Sequence, residues 1–285
     1  MAKPEAPEAP TATVARLDAA ASHRTTPFAG GAMHWRGWGQ GAPLLLLHGA
    51  SGSWTHWIRN IPALAAHYRV LAPDLPGFGD ADDAPEPHTA EALADALLAG
   101  LDALAPPDAP LRIAGFSFGG IVGGLAAARL GRRVRRLVLL GTGGMALPYE
   151  PTRPLLRLPP AATPAEAARV HRENLHILMI ADAARIDGLA VHVQAENLRR
   201  ARFRSGAIPT SDVLLRVLPA IRARLAGLWG SRDAFAAPFI EERRRTLAAV
   251  QPGVDFRVIE GAGHWAIYEA AAQVNAALLE LLGEG

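Results

Sequence analysis

Six short, mostly apolar runs set the strongest constraint on this chain. Leu44 to Leu47 is four leucines ending at His48-Gly49. Tyr68 to Ala72 ends near Asp74-Leu75-Pro76-Gly77, Leu111 to Ala114 ends at Gly115, and Arg136 to Leu140 ends at Gly141. Leu225 to Trp229 and Asp255 to Ile259 complete the series. These runs do not alternate polar and apolar residues, so they read as strands buried on both faces, hence a mostly parallel sheet. Helical patterns fill the intervals: Ile58 to His67, Ala90 to Leu104 capped by Thr89, Gly119 to Leu130, and Ala266 to Leu282. The alternation predicts an α/β fold with a doubly wound, mostly parallel sheet. Residues 23–38 are expected to add an antiparallel pair at its edge.

One stretch breaks the rhythm. Residues 144–211 are too long for a single crossover helix. They open with Pro148, Pro151, Pro154, Pro159 and Pro160, after which Thr163-Pro164-Ala165-Glu166 reads as a capping box with proline at the first helical position. That helix should reach about Met179, and a second should run from after Asp187 to near Gly206. The division expected is a mobile tail over 1–22, a core over 23–143 and 212–285, and a helical cap inserted over 144–211.

Composition narrows the function classes. The chain has 285 residues, half of them apolar, enough for one large domain with a substantial core. It has no cysteine, which excludes disulfides, thiolate chemistry and cysteine-based zinc sites. Formal net charge is only +2, and Lys3 is the sole lysine. The arginine clusters at Arg132 to Arg136, Arg199 to Arg204 and Arg243 to Arg245 read as solvated helix faces, and no nucleic-acid motif accompanies them. His171 and His176 are five apart and do not share a helix face as a zinc pair would. No leader or membrane span is legible, so the expected place is the cytoplasm, with no nucleic-acid or membrane partner. Homo-oligomerisation is left open.

Gly115-Phe116-Ser117-Phe118-Gly119 matches G-x-S-x-G between a strand and a helix. A sharp turn there lifts a serine hydroxyl clear of the sheet, at a helix N-terminus that favours a developing alkoxide. Serine needs a base to take its proton. Gly230-Ser231-Arg232-Asp233 follows the fifth run, and Gly261-Ala262-Gly263-His264-Trp265 follows the last. Both lie at strand carboxyl ends, where sites gather in open α/β sheets. The order Ser117, Asp233, His264 assigns nucleophile, orienting acid and base. Asp255 is the fallback acid, at the wrong end of its strand. The oxyanion donors expected are Phe118 N–H and Ala50 N–H, with Ser51 as second choice. His48 is read as a backbone hydrogen-bonding residue. Trp54, Trp57, Phe118, Met145, Leu175 and Trp265 are candidates to line an apolar pocket, with core packing an equal claim for the residues of the insertion.

Taken together, His48-Gly49, Asp74-Leu75-Pro76-Gly77-Phe78-Gly79, the Ser117 turn, Gly230 to Asp233 and Gly263-His264 give a chain that resembles the α/β-hydrolase family from about residue 23 onward. The resemblance implies the eight-strand type of sheet, a cap, an acyl-enzyme route, no cofactor, and a structural role for Asp74 to Gly79. Serine at the nucleophile position sets the chain apart from the dehalogenase and epoxide hydrolase branches. Trp265 after His264 is similar to meta-cleavage-product hydrolases, which cut a C–C bond in vinylogous diketo acids. That subgroup typically has Asn and Met around its serine, where this chain has Phe116 and Phe118. Its cap arginine falls near Gln194, with Arg199 and Arg200 close by. The leading expectation is hydrolysis of a hydrophobic carboxylic ester, a small apolar acyl compound. The alternatives are C–C hydrolysis with the same triad, or a lyase or binding module on the same fold.

Overall fold

The computed structural model describes residues 8–283. Eight strands form one sheet: β1 (Ser22–Phe28), β2 (Gly31–Trp38), β3 (Pro43–Leu47), β4 (Arg69–Pro73), β5 (Leu111–Phe116), β6 (Val134–Leu140), β7 (Arg224–Gly230) and β8 (Asp255–Ile259). Their spatial order is β1-β2-β4-β3-β5-β6-β7-β8. β1 and β2 pair antiparallel with each other, β2 pairs antiparallel with β4, and the remaining pairs are parallel. The chain steps outward from β3 to β4, then returns across β3 to β5. The carboxyl ends of β3 and β5 therefore diverge at a switch point, the place where such sheets bind ligands.

Among the described residues, ten α-helices accompany the strands: α1 (Pro10–Ala19), α2 (Ile61–Ala65), α3 (Ala90–Leu104), α4 (Phe118–Leu130), α5 (Pro164–Leu178), α6 (Gly188–Arg200), α7 (Val213–Val217), α8 (Ile240–Val250), α9 (Ala266–Glu269) and α10 (Ala271–Leu282). The two sheet faces carry separate cores, which is why the runs are continuous. Leu45, Leu47, Ile113, Leu137 and Leu139 pack with α3 and α4, through Leu93, Leu97, Ile121 and Leu125. Their chain neighbours Leu44, Leu46, Ala114, Val138 and Leu140 pack with α2 and α10, through Ile61, Leu64, Val274 and Leu278. Each fully buried leucine of this kind contributes about 1.5–3 kcal/mol.

Two expectations need correcting. The first is the mobile tail. Residues 1–7 lie outside the described residues, but 10–19 form α1, with Pro10 at the first helical position and Leu17 buried. Proline's fixed φ and missing N–H suit a helix start, so what read as a tail-like proline begins an element. Arg36 and Trp38 of β2 hold it: Arg36 pairs with Asp18, and Trp38 Nε1–H donates to Leu17 O at 2.9 Å. The second is the end of the second inserted helix. α6 stops at Arg200, short of Gly206, because the chain turns extended to bury Phe203. Arg202 and Phe203 N–H both donate to Gly77 O, at 2.8 and 3.1 Å. The Phe203 ring lies 5.6 Å from that of Phe78 and 5.8 Å from that of Phe118.

The insertion between β6 and β7 carries α5 and α6. The Thr163–Glu166 capping box is complete, and Asp187 caps α6 through Ala190 N–H at 2.9 Å.

Candidate active site

β5 ends at Phe116 and α4 begins at Phe118, so the whole reversal falls on Ser117, with φ 51° and ψ −116°. That region is strained for a non-glycine residue and persists only where surroundings enforce it. Here Ser117 N–H donates to Leu140 O at 2.7 Å and Gly120 N–H to Ser117 O at 3.0 Å. The reversal presses backbone on backbone. A Cβ on Gly115 would lie 2.5 Å from Gly120 Cα, and one on Gly119 would lie 2.5 Å from Leu47 O and His48 O. Both flanking glycines of the motif are therefore steric requirements.

The loops after β7 and β8 bring two more side chains to the serine. His264 Nε2 lies 3.0 Å from Ser117 Oγ, and His264 Nδ1 lies 2.7 Å from Asp233 Oδ2. A carboxylate only accepts, so Nδ1 carries the proton; a neutral ring then presents Nε2 as acceptor to the serine hydroxyl. Asp233 is 1% exposed and His264 7%. Phe235 N–H donates to Asp233 Oδ1 at 2.9 Å, and the Phe235 ring meets the imidazole edge-on at 4.7 Å. Gly141, at φ 55°, makes room for this arrangement: a Cβ there would sit 3.1 Å from His264 Cε1. Glu269 secures the histidine loop to the insertion, accepting N–H bonds from Gly263, Ala181 and Asp182 at 2.7, 3.0 and 2.8 Å. Trp265 N–H donates to Met179 O at 2.7 Å.

The loop after β3 is held by two buried histidines. His48 Nδ1–H donates to Gly49 O at 2.8 Å, and Nε2 accepts from Leu75 N–H at 3.0 Å. His56 Nδ1 accepts from Gly49 N–H at 3.2 Å, with its ring against Phe116 and Trp265. Burial lowers the pKa of His48 and drives that of His56 well below the ordinary histidine range, so both are neutral braces. Among the described residues Ala50 N–H has no protein acceptor. Phe118 is the first residue of α4, a position whose N–H has no partner within the helix.

The remaining sequence candidates sit elsewhere. Trp54 packs on Trp38 at 5.5 Å and beneath Arg36 at 5.0 Å. It lines a cavity of about 310 Å³ between α1 and α6 that includes neither Ser117 nor His264. Met145 and Leu175 are core side chains in opposite clusters. Trp265 is fully buried, its Nε1–H on His56 O at 3.0 Å. Asp255 pairs with Arg257 at 2.9 Å, away from His264. Asp74 braces the loops, accepting from Trp54 N–H, Asp80 N–H and Arg36 at 2.8, 3.0 and 3.0 Å. Sequence reasoning missed Phe235, Gly141, His56 and Glu269. Only Gly141 carried a signal, as the residue that ends an apolar run. No group of three potential metal-ligating side chains occurs among the described residues, and no helix there is long and apolar enough to cross a membrane.

A serine, an imidazole and a carboxylate in hydrogen-bonded series at the carboxyl edge of this sheet describe an α/β hydrolase. The model of the Alpha/beta hydrolase family matches residues 44–277, and the chain belongs to that family. Among its relatives, the 2-hydroxy-6-oxo-6-phenylhexa-2,4-dienoate hydrolase of Burkholderia cepacia is 29% identical over 272 residues, 89% of this chain and 92% of that protein. The carboxylesterase CesB (YbfK) from Bacillus subtilis shares the fold with a TM-score of 0.77 at 18% identity, covering 97% of this chain and 96% of its own. The meta-cleavage product hydrolase CumD from Pseudomonas fluorescens IP01 does so with a TM-score of 0.71 at 24% identity, covering 90% and 96%.

Proposed function

We propose that the chain hydrolyses a hydrophobic carboxylic ester through a Ser117 acyl-enzyme. The observation that carries this reading is the unbroken series from Ser117 Oγ through His264 to Asp233, at 3.0 and 2.7 Å. His264 Nε2 takes the hydroxyl proton as Ser117 Oγ attacks the carbonyl carbon. The tetrahedral oxyanion is stabilised by the N–H groups of Ala50 and Phe118, which are fixed before reaction and need no reorganisation. His264 then gives its proton to the departing alkoxide. Water, deprotonated by the same nitrogen, attacks the acyl carbon and frees Ser117. Asp233 holds the Nδ1–H tautomer and stabilises the imidazolium between these transfers. The rings that pack on the imidazole, Phe116 and Phe235 at 5.1 and 4.7 Å, favour an apolar acyl group.

A second reading, C–C hydrolysis of a vinylogous diketo acid by the same three residues, is favoured by the Burkholderia cepacia relative. Against it stands the use of the nearby cations. Arg199 pairs with Glu196, and Arg200 with Asp80, so a substrate carboxylate at either would have to displace a protein carboxylate.

Turnover of p-nitrophenyl butyrate by wild type beside Ser117→Ala tests the proposal. Burst kinetics and turnover that vanish in the variant are expected. Negligible wild-type turnover together with cleavage of a vinylogous diketo acid would transfer the assignment to the second reading. Undiminished turnover in Ser117→Ala would defeat both.

A further inference from the structure

The loop after β3 carries the N–H of Ala50, and its two ends are held from different parts of the molecule. Gly52 N–H donates to Gly49 O at 3.2 Å, closing a tight turn. Within it Ser51 has φ 52°, a left-handed conformation that a non-glycine residue keeps only where its surroundings enforce it. The entry is enforced from the core, by Gly49 N–H on His56 Nδ1. The exit is enforced from 144 residues further along the chain: Ser53 Oγ donates to Asn197 Oδ1 at 2.7 Å. Thr55 Oγ1 donates to the same oxygen at 3.1 Å.

These three side chains are buried: Asn197 is 3% exposed, Ser53 5% and Thr55 8%. Ser53 Oγ also accepts from Thr55 N–H at 3.3 Å, so the short helical turn Trp54–Trp57 starts from the same anchor. Asn197 lies on α6, in the insertion between β6 and β7. Its Nδ2 is buried with no partner among the described residues. An unpaired buried donor is destabilising, so what Asn197 contributes here is its acceptor. A bond that only fastened α6 could reach any surface of the core. Both bonds to Asn197 instead come from the residues that directly follow the strained turn.

We propose that Asn197 is a positioning residue for the oxyanion donor: through Ser53 and Thr55 the insertion keeps the Gly49–Gly52 turn closed and the Ala50 N–H aimed at the developing negative oxygen. The assignment rests on the hydrolase chemistry proposed above, in which Ala50 is one of two donors. Without the exit anchor Ser51 can relax toward negative φ, which rotates the peptide planes beside Ala50. A misaimed donor weakens the transition state more than it weakens substrate binding.

The test is the rate at which diethyl p-nitrophenyl phosphate labels Ser117, read as p-nitrophenolate released and as mass added to the protein. The reagent's phosphoryl oxygen gains negative charge where an ester's carbonyl oxygen would. Asn197→Leu keeps the volume and removes the acceptor. Its limiting labelling rate should fall about tenfold or more, with little change in the reagent concentration that gives half that rate. Asn197→Asp, which keeps an acceptor for both hydroxyls, should recover most of the rate. Ser53→Ala should slow labelling too. In the double variant the two losses should not multiply, because each breaks the same link. A wild-type limiting rate in Asn197→Leu, whatever its Tm, overturns the proposal. So does an equal loss in Asn197→Asp, or losses that multiply, since a residue that merely fastens α6 lowers stability without this pattern. Should Asn197→Leu not fold, Ser53→Ala decides: slower labelling is expected, and a wild-type rate overturns the proposal. Wild-type protein that takes no label at Ser117 would defeat the hydrolase reading and the proposal with it, whereas a variant that fails the test beside labelled wild type defeats the proposal alone.

Discussion

At the scale of single residues, the site depends on which nitrogen of His264 carries a proton. Asp233→Asn preserves shape but offers an amide donor to Nδ1, which favours the tautomer with the proton on Nε2. We expect kcat to fall by about 10⁴ with little change in KM, measured by steady-state kinetics on an ester. A loss smaller than tenfold would remove Asp233 from the assignment. Gly141→Ala probes the space behind the imidazole. Its Cβ would stand 3.1 Å from His264 Cε1 at a φ of 55°, so it must displace the ring or the backbone. We expect a stability cost of about 1–3 kcal/mol in urea titration and a larger fractional loss of kcat.

The same scale shows why part of the site was legible in the sequence. Ser117, Asp233 and His264 each follow an apolar run and have a glycine within three residues, because a strand end that presents chemistry needs tight backbone. Phe235, His56 and Glu269 carry no such marker. Their roles arise where segments far apart in the chain meet, as when Glu269 binds the N–H groups of both Gly263 and Ala181. Trp54 misled for the complementary reason. A large aromatic beside the expected oxyanion loop suggests a pocket wall, but its direction is set by Arg36 and Trp38 of another strand.

At the scale of elements, the central strands β3, β4 and β5 were legible because burial on both faces favours continuous apolar runs, and α3 because Thr89 marks its start. α1 was not, since its stability comes from β2 rather than its own pattern. Arg36 is the link: its side chain, 6% exposed, meets Asp18, Asp74 and Asp80, of which Asp74 is 1% exposed and Asp18 37%. Removing one partner of a buried pair leaves an uncompensated charge. Arg36→Met should therefore cost about 3–5 kcal/mol, read from the urea midpoint. Asp18→Asn should cost under about 1 kcal/mol, because that partner is solvated. Equal costs would show that α1, rather than Asp74, is what Arg36 holds. The insertion is likewise not a free-standing lid: residues 179–182 hold the His264 loop through Trp265 N–H and Glu269. Truncation of 164–200 should accordingly disturb the base as well as substrate choice.

For the whole molecule, the fold is built around neutral imidazoles, and this sets its stability against pH. His48 and His56 are fully buried, with burial the leading cause holding each below the ordinary histidine range. The unfolded chain takes up these protons near pH 6.5, while the folded chain resists until lower pH. The sign follows: stability is full above about pH 6.5 and is lost as pH falls, because the unfolded state then binds more protons. Between pH 7.5 and 5.0 each histidine that stays neutral when folded costs about 2 kcal/mol. Carboxylates held low by arginine, such as Asp80, which burial raises but Arg36 lowers further, act in the more acidic range near and below pH 4 and stay out of this window. Urea midpoints at the two pH values check the expectation. A wild-type stability that is flat over this interval would refute it. His56→Gln should lower stability at pH 7.5, where the brace on Gly49 N–H is weakened, yet flatten the pH dependence by one histidine's share. That opposite pair of effects follows from a buried neutral histidine and would not follow from a solvated one.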